Sequence, residues 1–202
     1  MRETKHITRP TPYASRDDFR RIFEEDMNAL YLLSFLLTAD HEKAERCFVS
    51  GLEDAVEGNP VFKEWARSWA RRAIILNAVR VINPRPTDEN GRSSSATVSN
   101  KAKTSPVEQI EIASVLALEP FERFVYVMTV LEGYSDQDCS LLLGCTRRDV
   151  VAARTRAFGQ IGSAMASHSG QLLPAGSEKP ASDERHASLL ELLVGRRLAT
   201  LA

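Results

Sequence analysis

From Arg16 to Leu37 large apolar residues recur at Phe19, Phe23, Met27, Leu30, Leu33 and Leu37. Steps of three and four put them on one stripe of a helix, and nowhere does the chain alternate apolar and polar residues for more than a few positions. Side chains at this spacing are buried by packing helix against helix. The expected fold class is all-α.

Caps and breakers divide the pattern. Ser15 is placed to cap the first helix, with Asp17 and Asp18 in its first turn, where the helix dipole favours carboxylates. A second helix is predicted from about Asp40, its cap, to Glu57, and Gly58-Asn59-Pro60 ends it. A third runs from about Pro60 to Val81 with Phe62, Trp65, Trp69, Ala73, Leu76 and Val79 on one face, which predicts both tryptophans as core residues. Pro84 biases Asn83 out of the α region and stops that helix. Residues 1–15 read as a disordered polar tail, 16–83 as a first helical domain, and 84–105 as a flexible linker with almost no large apolar side chain.

A second helical domain spans 106–166. One short helix is predicted over Val107–Leu116 and another over Glu119–Leu131, with Phe121, Phe124, Val125, Met128 and Leu131 inward. After a break at Glu132-Gly133-Tyr134, Ser135 caps a helix over Asp136–Leu143. Gly144 stands where a left-handed residue closes a helix. Thr146 caps a further helix reaching about Ile161. Residues 167–202 comprise a polar linker and an amphipathic tail helix over 183–201, carrying Leu190, Leu193, Val194, Leu198 and Leu201. That tail is expected to dock on the body.

The formal net charge is −1, but it is unevenly spread. Asp17 to Glu57 carries eleven acidic and four basic residues. Lys63 to Arg80 carries five basic residues and one acid, and Arg147 to Gln160 four arginines and one acid. Two arginine-bearing helices therefore sit in an otherwise acidic chain, and local patches, unlike net charge, set phosphate contact. Three cysteines without a CxxC pair, four scattered histidines, and no GxSxG, GxxxxGK[ST] or GxGxxG segment leave an enzyme reading with little support and point to no metal site or cofactor. The first residues lack the apolar stretch of a signal peptide and no apolar run is long enough to span a bilayer. The expectation is a cytoplasmic chain with no membrane insertion.

The two capped helices around Gly144 have the helix-turn-helix layout, in which the second helix enters the major groove. At 100° per residue, Val150, Ala153 and Ala157 face the core. Arg148, Val151, Ala152 and Thr155 point away, with Arg147 and Arg154 on one flank and Arg156 on the other. Edge arginines can hold phosphates, and Arg147 or Arg148 near the helix start can reach a guanine edge. The predicted DNA-contact set is Thr146, Arg147, Arg148, Val151, Ala152, Arg154, Thr155 and Arg156, joined by Arg67, Arg71 and Arg72 of the other basic helix. A plain αα-hairpin without a DNA role is the bland alternative.

Residues 118–161 resemble the C-terminal promoter-reading domain of an extracytoplasmic-function sigma factor. The resemblance rests on the L-x-P-x-E-R start, the L-E-G-Y-S segment, the L-L-G-C-T turn and Arg156-Ala157. The N-terminal block is similar in layout to the family's other domain, in a degenerate form. Ala44 and Glu45 agree with its clamp-binding run, and Trp65 and Ala70 with its promoter-opening helix. The resemblance implies core RNA polymerase and promoter DNA as partners and allows an anti-sigma factor. Asp40, Glu42, Glu45 and Arg46 would face polymerase, and 62–80 would open the −10 element, with Trp65 or Trp69 as a wedge beside melted DNA.

Two other functions compete with a promoter-specificity subunit. One is a stand-alone helix-turn-helix regulator that binds DNA without polymerase. The other is an interaction protein that keeps the fold and has lost promoter work, a reading motivated by the sparse N-terminal match.

Overall fold

The computed structural model describes residues 12–86 and 112–169. Its elements are α1 (Arg16–Glu25), α2 (Met27–Thr38), α3 (His41–Glu57), a 3₁₀ turn (Lys63–Trp65) leading into α4 (Ala66–Ile82), and α5 (112–116). Then follow α6 (Pro120–Tyr126), continued by a π-helical turn (Val127–Leu131), α7 (Asp136–Leu143) and α8 (Arg147–Ser169). The fold is all-α, as the periodicity predicts. Most of the expected linker, the start of the helix expected from Val107, and the tail helix over 183–201 lie outside the described residues. Among the described residues, no helix is long and apolar enough to cross a membrane.

Several helix ends form where the sequence puts them, and for the expected reasons. Ser15 and Asp18 make a reciprocal capping box on α1. Asp40 caps α3 by accepting from the Lys43 N–H at 2.9 Å. Asn83 takes the left-handed conformation (φ 49°) that ends α4 ahead of Pro84. Gly51 lets α3 and α4 approach closely, since a Cβ there would lie 2.7 Å from Ile74 Cδ1.

Five expectations need correction. The helix predicted from Arg16 to Leu37 is two helices, broken at Asp26 (φ −100°, ψ 16°). Its apolar period runs unbroken through the kink, so periodicity does not reveal it. In the third helix the buried face is Ala66, Ala70, Ala73, Ile74, Asn77 and Ala78, while Trp65 is 59% exposed and Trp69 half-buried. The buried stripe is centred one position later than expected, so Trp65 and Trp69, each about 100° before the buried Ala66 and Ala70, fall on its flank. The helix predicted over Glu119–Leu131 changes to π geometry at Val127. The helix predicted to end near Ile161 continues to Ser169, taking in the start of the stretch read as linker. Tyr13, assigned to the polar tail, forms an antiparallel bridge with Phe62 and stacks on it at 4.9 Å.

The helices share one apolar core, from Phe19, Phe23 and Leu37 through Phe124 and Met128 to Val150 and Ile161. α2 brings Leu33 and Leu36 against Val127 and Leu131. Arg123, only 6% exposed, crosses the same seam. It donates to the Leu37 carbonyl at 3.2 Å, in the last turn of α2, and to the Leu118 carbonyl at 2.9 Å. Burial pulls its pKa down to about 10. The dipole at the end of α2 and these carbonyls favour the cation that burial penalises.

Candidate nucleic-acid interface

The pair α7–α8 is built by local chemistry. Ser135 accepts from the Asp138 N–H at 3.1 Å to start α7. Gly144, at φ 64°, ends it, and the Cys145 N–H returns to the Ser140 carbonyl at 3.0 Å. Thr146 and Asp149 then make a reciprocal box at the start of α8. The Asp149 N–H reaches Thr146 Oγ1 at 3.2 Å, and the Thr146 N–H reaches Asp149 Oδ2 at 2.9 Å. These bonds to Thr146 hold the Asp149 carboxyl below the usual carboxylate range.

Helix α8 sorts by face as its sequence predicts. Val150, Ala153, Ala157 and Ile161 are fully buried in the core with Cys139 and Leu143. Arg147, Arg148, Val151 and Thr155 are exposed, and Ala152 is half-buried beside them. The Thr155 hydroxyl donates to the Val151 carbonyl at 3.0 Å. Its methyl and the Val151 side chain give this face an apolar centre with cations at the N-terminal end.

The four arginines of α8 divide into two pairs by partner. Arg154 is bound by both carboxylate oxygens of Asp136, which ties α8 to α7. Arg156 donates Nε to the buried Glu122 at 2.6 Å, and Gln160 reaches the other Glu122 oxygen at 2.9 Å, which ties α8 to α6. Arg147 and Arg148 make no ion pair with the described residues and stand at the helix N-terminus, where a groove-docked helix presents its side chains to base edges. Arg154 and Arg156 thus fix how α8 sits, and Arg147 and Arg148 carry the outward charge.

The arginines of α4 are engaged within the chain. Arg67 pairs with Glu25 and Asp26 at the α1–α2 break. Arg71 binds Glu132 through two nitrogens, with Nε at 2.6 Å. Burial works against the Arg71 charge, and the Glu132 hydrogen bonds outweigh it, so the guanidinium is held more firmly protonated than usual. Arg72 lies beside Tyr134, whose hydroxyl burial pushes up in pKa while Arg72 pulls the other way.

The residues expected to face polymerase sit on α3. The Asp40 carboxylate is used in the cap, whereas Glu42, Glu45 and Arg46 are exposed, with Arg46 3.9 Å from Glu42. Val49, also exposed, and Glu53 extend that outer face. The carboxylates Glu122, Glu132 and Asp136 were not singled out from the sequence. Their arginine partners lie 18 to 61 positions away, beyond any helical period. Protein-family models, curated proteins and solved structures offer no match to this chain.

Proposed function

We propose that this protein is a promoter-specificity subunit of the sigma type, which joins RNA polymerase and reads promoter DNA through α8. One observation carries the reading: a doubly capped helix pair with a left-handed glycine between, whose second helix exposes Arg147 and Arg148 beside Val151 and Thr155. Arginine at the N-terminal end of such a helix can read guanine, and an apolar centre can meet a thymine methyl. The outer face of α3, with Glu42, Glu45, Val49 and Glu53, supports the second half of the reading, since an acidic face with an apolar centre suits a basic partner. The resemblance of residues 118–161 to a sigma domain points the same way.

A second reading has an observation of its own. Arg67 and Arg71 are tied up inside the chain, so DNA contact through α8 alone, by a regulator independent of polymerase, fits the described arrangement. A pull-down with core RNA polymerase separates the two. The sigma-type reading expects retention of the full chain, weakened by Glu42→Lys with Glu45→Lys. Salt-sensitive DNA binding without any retention on core would favour the regulator.

A further inference from the structure

The strongest unexplained feature is a charged pair in an apolar seam. Glu132 is only 4% exposed at its side chain, and Arg71 grips it through two nitrogens across the junction of α4 with the C-terminal block. Around the pair lie Ala29, Leu33 and Leu36 of α2 with Val127 and Leu131. The π turn aims Glu132 at α4. The Glu132 N–H reaches back five residues to Val127 at 3.0 Å, and Gly133 (φ 70°) closes the turn with the Tyr134 N–H on the Met128 carbonyl at 2.9 Å. A wide turn of this kind is uncommon and marks functional sites more often than plain helix.

A buried ion pair is a poor device for holding two surfaces together permanently. Its desolvation cancels much of its attraction, and apolar residues of the same size would usually do as well or better. It is a good device for a contact that is specific and separable, because both groups recover their hydration when the surfaces part. Residues 87–111 connect the two blocks covalently. Parting them therefore loses no partner by dilution, and reclosure stays intramolecular.

We infer that the Arg71–Glu132 pair is a latch that closes the arginine face of α4 against the C-terminal block, so that this face meets DNA only when the blocks separate. The inference rests on the reading above for what the face binds. In the closed form Arg71 is spent on Glu132 and Arg72 faces Tyr134, whereas Arg147 and Arg148 of α8 stay exposed. A partner that parts the blocks would release Glu132 and hand Arg71 and Arg72 to phosphates. Binding of that partner and binding of DNA would then favour each other.

The test uses the full chain with dyes at Glu57→Cys on α3 and Leu141→Cys on α7, in a Cys145→Ser background. Energy transfer reads the separation of the blocks, and fluorescence anisotropy on duplex DNA over a salt series reads phosphate contacts. Glu132→Gln keeps the shape and removes the charge, Arg71→Glu with Glu132→Arg restores the pair reversed, and Glu24→Gln, at an exposed position of α1, controls for net charge. The latch predicts high transfer in the parent and lower transfer in Glu132→Gln. It also predicts DNA binding several-fold tighter, with a salt slope steeper by roughly one to two, about 0.9 per added phosphate contact. The reversed pair should return the high transfer, and Glu24→Gln should match the parent. Low transfer in the parent, unchanged transfer in Glu132→Gln, or opening that leaves the affinity and slope at the Glu24→Gln level would overturn it. Should Glu132→Gln lose its helical circular dichroism, the reversed pair decides alone: high transfer supports the latch and low transfer refutes it. Opening on cue with no DNA binding by any form would retain the latch and remove the DNA reading instead.

Discussion

Arg148 and Arg156 carry the same charge on the same helix and do different work. Arg156 neutralises Glu122, which is buried beneath it with Gln160 as its other partner. Its loss leaves a desolvated carboxylate half-satisfied, whereas Arg148 stands in water. Arg156→Ala should therefore cost about 2–3 kcal/mol in urea unfolding. Arg148→Ala should change stability by less than about 0.5 kcal/mol and weaken DNA binding by about tenfold. Thiol reactivity gives a second check at this scale. Burial pushes the Cys139 thiol up to about 12, while Cys145 sits half-exposed in the turn with a smaller rise of the same origin. Alkylation at pH 8 should mark Cys145 well before Cys139, as peptide mass mapping would read. Equal rates would mean that α7 opens readily. The sequence could place Arg148 on the outward face of α8 and Arg156 on its flank, but not tell which one had a buried carboxylate waiting 34 residues away.

Single elements were the most legible part of the chain, because caps act within four residues. Ser15, Asp40, Ser135, Gly144 and Thr146 all stand at the helix ends expected of them. The misreadings arose where an element changed type without a change in period: at Asp26, at the 3₁₀ turn before α4, and at the π turn after Tyr126. At Asp26 the break puts Glu25 and Asp26 within reach of Arg67, a contact 41 residues distant. Gly144→Ala meets no steric obstacle, since nothing lies within 4 Å of a Cβ there, so its cost is the left-handed backbone alone, about 1–2 kcal/mol in thermal unfolding. Acid should weaken the caps. Asp18 and Asp149 both have lowered folded pKa values, Asp18 chiefly through the Ser15 backbone bond and Asp149 through the Thr146 hydroxyl. Each therefore contributes stability that is fully present above its unfolded value of 3.8 and is lost as pH falls through the lower folded one. Asp149→Asn should flatten the acid limb of the circular dichroism titration. An unchanged limb would mean that the Thr146 box contributes nothing.

At the scale of the molecule, the charge segregation visible in the sequence becomes a set of internal ties. The acidic N-terminal block and the arginines of α4 neutralise each other through Glu25, Asp26 and Asp54, and Arg71 crosses to Glu132. Among the described residues, an acidic face on α3 and the basic start of α8 stay outward. That division suits a chain that meets a basic protein with one surface and DNA with another. The measurement that bears most directly on this reading is run-off transcription by core RNA polymerase on templates selected for binding the full chain. The account predicts discrete transcripts only when the chain is added, and their loss with Arg147→Ala and Arg148→Ala together. No transcript from any selected template, with no retention of the chain on core, would contradict it.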